Sequence, residues 1–261
     1  VRCVAFINEK GGTCKTTLCV NIGAALAQRG RRVLIVDLDT QGHAGKSLGL
    51  DVRGLRPTIH DLLTGRSVEL AEVIRATAIP RLSVIAANKD LAAFPLAVAA
   101  EPDRAERLRH RLAPLAREGW DFVLLDAPPS LSLVTENAML AAEELVIPVA
   151  LTYLALDGCA EVLGSLERLR AERGRAPEVT MVVPALYRRT QLADEILVKL
   201  RERFPTELAR TQLAYSVKID EAQSHGKTIF EYAPRSSGAR ALSALAEELL
   251  QRGSAAGAMA G

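Results

Sequence analysis

Six short apolar runs punctuate the chain: Cys3-Val4-Ala5-Phe6-Ile7, Val33-Leu34-Ile35-Val36, Leu82-Ser83-Val84-Ile85-Ala86, Phe122-Val123-Leu124-Leu125, Leu145-Val146-Ile147-Pro148-Val149 and Val179-Thr180-Met181-Val182-Val183. Their continuous hydrophobicity, without polar alternation, predicts strands covered on both faces, as a parallel sheet requires. Between them, apolar residues recur with helical spacing over 16–29, 101–118, 156–173, 191–203 and 237–251. A shorter helix is predicted after Thr58, a suitable N-cap, with Gly65 as its stop. Strands alternating with helices give an α/β fold, a doubly wound, mostly parallel sheet flanked by helices, with its ligand at the carboxyl ends of the strands. No stretch of the chain repeats another, so the pattern reads as one domain over 1–252, and the Gly/Ala/Ser tail 253–261 is expected to be disordered.

Composition changes this picture little. The chain has 261 residues, 49% hydrophobic and 25% charged, with a net charge of +2. The charge total does not announce a nucleic-acid partner, so any basic surface must come from local clustering. Four cysteines (Cys3, Cys14, Cys19, Cys159) form no C-x-x-C pair, which suits reduced thiols and implies no metal site of their own. No apolar segment approaches the roughly 20 residues needed to span a bilayer, and the expected location is cytoplasmic.

The chemistry is concentrated in Lys10-Gly11-Gly12-Thr13-Cys14-Lys15-Thr16-Thr17, between the first strand and the first helix. Strand, glycine-containing loop and helix in that order can turn successive N–H groups toward an anion, and the helix terminus adds about half a positive charge there. Phosphate is the natural ligand, with Lys15 reaching the outer phosphates and the Thr16 hydroxyl coordinating magnesium. Glu9 and Cys14 occupy the two glycine positions of the ordinary G-x-x-x-x-G-K-[ST] loop, and a second lysine, Lys10, opens it. Two further features border such a loop. The second apolar run ends in Asp37-Leu38-Asp39, and the fourth delivers Asp126 followed by Ala127-Pro128-Pro129-Ser130. A buried strand ending in a carboxylate can supply the metal-bound side of a phosphate site. Either aspartate of the first pair can equally cap its own loop, and Asp126 can bond a neighbouring turn.

K-G-G-x-x-K-T-T resembles the deviant Walker A motif of the ParA/MinD family of P-loop ATPases. Asp37 to Ala44 is similar to that family's D-x-D-P-Q-G-N-A, with Thr40 for the proline and His43 for the asparagine, and Asp126 to Ser130 to its D-x-P-P-S. The resemblance, closest to chromosomal ParA proteins often called Soj, implies ATP and Mg2+ as cofactors. It implies that Lys10, Gly11, Gly12, Thr13, Cys14, Lys15, Thr16 and Thr17 bind the nucleotide, that Thr16, Asp37 and Asp126 belong to the metal site, and that Lys10, Lys15 and Asp39 are catalytic. In that family Lys10's counterpart reaches the partner's nucleotide across an ATP-sandwich homodimer, and Asp39's orients the attacking water in switch I. Turnover is slow and stimulated by a partner.

The likeness continues into the last third, where Arg189-Thr190-Gln191-Leu192 resembles R-T-N-L, Val217 to Lys227 resembles V-R-L-S-E-A-P-S-H-G-K, and Tyr232 to Ser236 resembles Y-D-P-R-S. It departs at Tyr187 and at Ala214-Tyr215-Ser216. Arginines at the positions of Arg189 and Lys218 are implicated in non-specific binding of double-stranded DNA in that subfamily, and Arg188, Lys227, Arg235 and Arg240 are further candidates. The same residues read equally as a solvated charged face. The function implied is chromosome or plasmid segregation over the nucleoid with a ParB-like partner, or, alternatively, positioning of a protein cargo such as chemotaxis clusters. A MinD-like membrane switch is disfavoured, because the last helix carries Glu247 and Glu248 and the tail 254–261 has no cation.

Overall fold

A computed structural model describes residues 1–65, 67–153 and 155–258, the side chains of residues 155 and 253–258 excepted. Its centre is built by β1 (Arg2–Phe6), α1 (Lys15–Gln28) and β2 (Val33–Asp37), followed by the short helices α2 (His43–Ser47), α3 (Ile59–Thr64) and α4 (Leu70–Val73). Then come β3 (Ile74–Ala76), β4 (Leu82–Ile85), α5 (Phe94–Ala97), α6 (Arg107–Leu112), β5 (Phe122–Asp126) and α7 (Leu133–Ala141). The last part holds β6 (Glu144–Ala150), α8 (Ala155–Arg173), β7 (Glu178–Tyr187), α9 (Gln191–Arg203), β8 (Leu213–Ala214), α10 (Val217–Ser224), α11 (Ile229–Tyr232) and α12 (Ser237–Ala258).

The described residues form one eight-stranded sheet in the order β3-β4-β2-β5-β1-β6-β7-β8. Every pairing is parallel except β3 with β4. Strand pleating explains the continuous apolar runs. Cys3, Ala5, Ile7, Leu34, Val36, Val123 and Leu125 pack into one layer, against helices that include α3, α7 and α8. Val4, Phe6, Val33, Ile35, Phe122 and Leu124 pack into the other, against α1 and α12. Each strand therefore needs apolar residues on both sides, and β1, β2 and β5 lie side by side at the centre with their carboxyl ends together.

Four elements show where the structure departs from the sequence expectation. The helix read over 101–118 is broken: α6 covers six of its residues and a 3-10 turn, Ala113–Arg117, follows. Pro114 lacks an N–H and its ring collides with the carbonyl four residues back, so the α-helix stops there. The broken segment is held by buried Asn137, whose Oδ1 accepts the Leu108 N–H (3.0 Å) and whose Nδ2 donates to the Arg104 carbonyl (2.9 Å). The edge strands β3 and β8, three and two residues long, were too short to carry a period. The last helix continues to Ala258, into the stretch read as tail, because Ala255, Ala256 and Ala258 favour helix propagation; residues 259–261 lie outside the described residues. The Thr58 cap is a full capping box with Asp61. Among the described residues no helix is long and apolar enough to cross a membrane.

Arg252 fastens α12 to the sheet. Its guanidinium donates to the carbonyls of Thr180 (2.9 Å), Thr206 (2.8 Å), Glu207 (3.0 Å) and Leu208 (2.9 Å), which lie in β7 and in the link toward β8. Hydrogen bonds from a charged donor contribute about 1.5–3 kcal/mol each when well formed, less where solvent replaces them. Arg252→Ala is expected to cost about 3 kcal/mol and to lower the thermal midpoint by roughly 6–10 °C, measured by circular dichroism.

Candidate nucleotide-binding site

The loop between β1 and α1 is shaped by Asn8 and Lys15. Asn8 Nδ2 donates to the Pro148 carbonyl at the end of β6 (2.7 Å), and its Oδ1 accepts the Lys10 N–H (3.0 Å). Buried Lys15 spans the loop, its Nζ donating to the Asn8 carbonyl (2.9 Å) and the Lys10 carbonyl (3.0 Å). Gly12 and Cys14 adopt left-handed φ of 73° and 69°, a conformation that turns successive amides to one side. The first turn of α1 has neither an acidic residue nor a side-chain cap, so its N–H groups are left for an anion. Burial pushes the Lys15 pKa down, and the carboxylates of Asp126 and Asp39 partly oppose that shift.

The three aspartates divide the work. Asp37 and Asp126 are register partners on adjacent strands, both fully buried. Asp37 is saturated by backbone: Oδ1 accepts the Asp39 N–H (3.1 Å), and Oδ2 accepts those of Ala44 (3.0 Å) and Gly45 (3.2 Å), so it caps the loop and α2. Asp126 Oδ2 accepts the Thr16 hydroxyl at 2.7 Å, while its buried Oδ1 has no hydrogen-bond partner. A lone-pair oxygen without a donor, beside a threonine hydroxyl at a phosphate loop, is the environment a hard cation would complete. No group of three or more His, Cys, Asp or Glu is placed to hold a metal among the described residues. The donor set therefore fits Mg2+ held by one carboxylate and one hydroxyl together with phosphate oxygens and water. Half-buried Asp39 is fixed through Oδ1 by the Gln41 N–H (2.9 Å).

A cavity of about 550 Å3 is lined by the loop from Gly11 to Thr17 and by Asp39, Lys46, Pro129 and Gln223; Asp37 and Asp126 do not line it and are fully buried. Lys10 directly precedes the lining residue Gly11, does not itself line the cavity, and holds its Nζ 3.7 Å from Asp157 at the start of α8. The sequence reading missed Asn8 and Gln223. An asparagine directly after a strand is a turn signal that pointed to Asn8. Gln223 donates to the Thr17 hydroxyl (2.9 Å) from α10, across a separation no local pattern carries.

Of the basic candidates in the last third, Arg188, Arg189, Lys218, Arg235 and Arg240 fall on one region. Arg188 and Arg189 are exposed just past β7, with the Arg188 guanidinium 4.6 Å from the centre of the Tyr215 ring. Lys218 is exposed at the start of α10, paired with Glu221 at 2.8 Å. Arg235 precedes α12, and the Arg240 guanidinium donates to its carbonyl (2.7 Å). The starts of α10 and α12 touch, since a Cβ on Gly238 would meet Ile219 at 3.0 Å. Lys227 is separate, beyond the other end of α10 and exposed.

Two outcomes follow from this geometry. Burial and the charge of Asp39 raise the Asp126 pKa to about 7, with Thr16 and Lys15 offsetting part of the rise. A raised folded-state value means that the folded protein holds the extra proton, so stability is full below the unfolded carboxyl's range and falls as pH rises toward about 7. Asp126→Asn removes that loss: without ligands it should melt roughly 3–6 °C above the parent near pH 8, the gap closing near pH 4. Left-handed backbone costs a non-glycine residue about 1–2 kcal/mol. After the entropy that glycine itself loses, Cys14→Gly should gain about 1 kcal/mol in a denaturant titration.

The comparisons with known proteins agree with this geometry. A family described as an AAA domain matches residues 1–178. The chromosome-partitioning ATPase Soj of Thermus thermophilus is 41% identical over 254 residues, 97% of this chain and 96% of its own. The sporulation initiation inhibitor protein Soj of Bacillus subtilis is 34% identical over 251 residues, 96% of this chain and 98% of its own. Among solved structures, cobyrinic acid a,c-diamide synthase of Mycobacterium smegmatis with a bound ATP analogue and magnesium has a TM-score of 0.84 at 31% identity, covering 96% of this chain and 94% of that one. With full-length similarity at this level and a lysine-opened phosphate loop at the centre of a parallel sheet, the chain belongs to the ParA/Soj family of chromosome-partitioning ATPases.

Proposed function

We propose that the protein is an ATP-dependent switch: two chains sandwich two ATP molecules with Mg2+, the dimer holds DNA without sequence preference, and hydrolysis stimulated by a ParB-like partner releases it during chromosome or plasmid segregation. The observation that carries this reading is the unlike placement of the two loop lysines. Lys15 is buried and locked to its own loop carbonyls, whereas Lys10, one residue before the cavity-lining Gly11, is turned to Asp157 on α8. One lysine serves the phosphate in its own loop, and the other is positioned to serve a phosphate presented from outside. The relatives' names, and the ATP analogue and magnesium in the mycobacterial structure, support the nucleotide and the metal.

In this reading the amides of the loop from Gly11 to Thr17 cradle the phosphates. Thr16 and Asp126 would hold Mg2+, with Asp37 behind them fixing the switch I loop by its amide bonds. Bound there, the metal would supply positive charge to offset that of the phosphate oxygens. Asp39, anchored through the Gln41 amide, orients the attacking water. Because dimerisation doubles the cations facing DNA, affinity rises steeply at low salt and collapses when the chains separate. The protein then acts in the cytoplasm at the nucleoid. The region bearing Arg188, Arg189, Lys218 and Arg235 is the face offered to DNA. The Lys218–Glu221 pair and the Arg188–Tyr215 stack engage two of these cations within the chain, which favours a second reading in which a protein cargo replaces the chromosome.

Light scattering and DNA co-sedimentation, run with ATP and with ADP, test the proposal. Asp39→Ala should hydrolyse ATP at least about tenfold more slowly and remain a DNA-bound dimer; Lys10→Ala should bind nucleotide as a monomer; Lys15→Ala should lose nucleotide binding. A monomer fully loaded with ATP, or equal DNA retention in both nucleotides, removes the switch. An ATP dimer that ignores DNA supports the cargo reading.

A further inference from the structure

A second cavity, of about 520 Å3, opens beside the nucleotide cavity and shares Gln41 and Lys46 with it. One wall is the switch I loop at Thr40 and Gln41; the other is Asn88, Lys89 and Asp90 after β4, with Val52 and Arg53 between. Of the described residues lining it, Lys46, Arg53 and Lys89 are cationic and one, Asp90, is acidic. Asp90 is already neutralised by the Arg56 guanidinium at 2.7 Å. Its own N–H and the Asn88 side chain are engaged with each other (3.0 Å). The cavity therefore carries an excess of positive charge facing a polar pocket larger than a tetrahedral anion.

Its position gives that charge a use. The Lys46 ammonium donates to the Gln41 carbonyl at 2.6 Å, and the Gln41 N–H donates to Asp39 Oδ1 at 2.9 Å. A cation of the side cavity is thus one residue away from the carboxylate assigned to the attacking water. The backbone there has little slack: Gly42 has φ +64°, and a Cβ on it would lie 2.6 Å from the Ala87 carbonyl and 2.9 Å from Val52, the floor of the same cavity.

We propose that this cavity is a second anion site, which takes inorganic phosphate as it leaves the nucleotide cavity. Bound phosphate competes with the Gln41 carbonyl for Lys46 and so loosens the loop that holds Asp39. The assignment of the phosphate's origin rests on the ATPase reading above, but its binding does not.

The test is a titration of inorganic phosphate, without nucleotide, followed by 31P line broadening and by hydrogen exchange at Gln41. Lys15→Ala, which disables the nucleotide loop, is expected to retain phosphate binding and the accelerated Gln41 exchange. Adding Arg53→Glu and Lys89→Glu to that variant should weaken binding at least about tenfold. The milder Lys89→Gln, which keeps the fold's surface neutral at that point, should weaken it a few-fold. Loss of all phosphate binding in Lys15→Ala alone, or unchanged affinity in the charge-reversed variants, overturns the proposal. Failure of the ATPase reading would instead show as absent ATP hydrolysis by the parent with the phosphate titration intact. When phosphate is added to hydrolysing protein, inhibition relieved by Lys89→Gln marks the product as the occupant, whereas inhibition equal in both proteins overturns that origin.

Discussion

The buried ammonium of Lys15 is the contact on which the rest of the site depends. It sits where a parallel sheet ends its central strands, and it is stabilised by two carbonyls of its own loop, Asn8 and Lys10. A desolvated cation in that position would be costly without those acceptors and without the carboxylates of Asp126 and Asp39 nearby. The strand that precedes it and the helix that it begins are therefore linked through one side chain. The shape of the loop follows from satisfying that charge with its own carbonyls. Asn8 extends the same link to β6 through Pro148, and the Thr16 hydroxyl ties the start of α1 to β5 through Asp126.

The opposing carboxylates complete the electrostatic balance. Asp37 and Asp126 are side by side in the interior, and burial pushes both upward, the charge of Asp126 adding to the rise at Asp37 and that of Asp39 to the rise at Asp126. The structure treats them unequally. Three amides surround Asp37, while Asp126 has one hydroxyl and one oxygen without a donor. Asp37 is thereby fixed to the backbone of residues 39–45, and Asp126 is the less satisfied of the two. A cation arriving with phosphate would relieve Asp126 and compete with nothing, and so ligand binding and the relief of internal repulsion are the same event.

What the sequence revealed follows from how far each signal reaches. The central strands were visible because burial on both faces demands apolar residues at every position, and the lysines and aspartates were visible because they sit at the ends of those strands. Thr58 and Gly65 were readable because a helix cap is local chemistry. The helix over 101–118 was misread because leucines at helical spacing outweighed Pro114, although the proline is what ended it. The double role of Asn8, the amide saturation of Asp37 and the Gln223 bond to Thr17 were out of reach, since each depends on a partner brought close only by the fold.

The same distinction bears on how the two ends of the molecule communicate. Gln223 lies in the last turn of α10, and Lys218 in its first. A short helix is stiff along its axis, so a contact made at the nucleotide cavity by one end constrains the basic region at the other. Thr17, which accepts the Gln223 amide, is two residues beyond Lys15 in the first turn of α1. Asn21, one turn later, receives the Ile229 N–H at the start of α11 (2.9 Å). The phosphate-binding helix is thus pinned at two successive turns to the segment that carries the exposed cations. Any displacement of α1 therefore has a direct mechanical route to that surface through these two bonds.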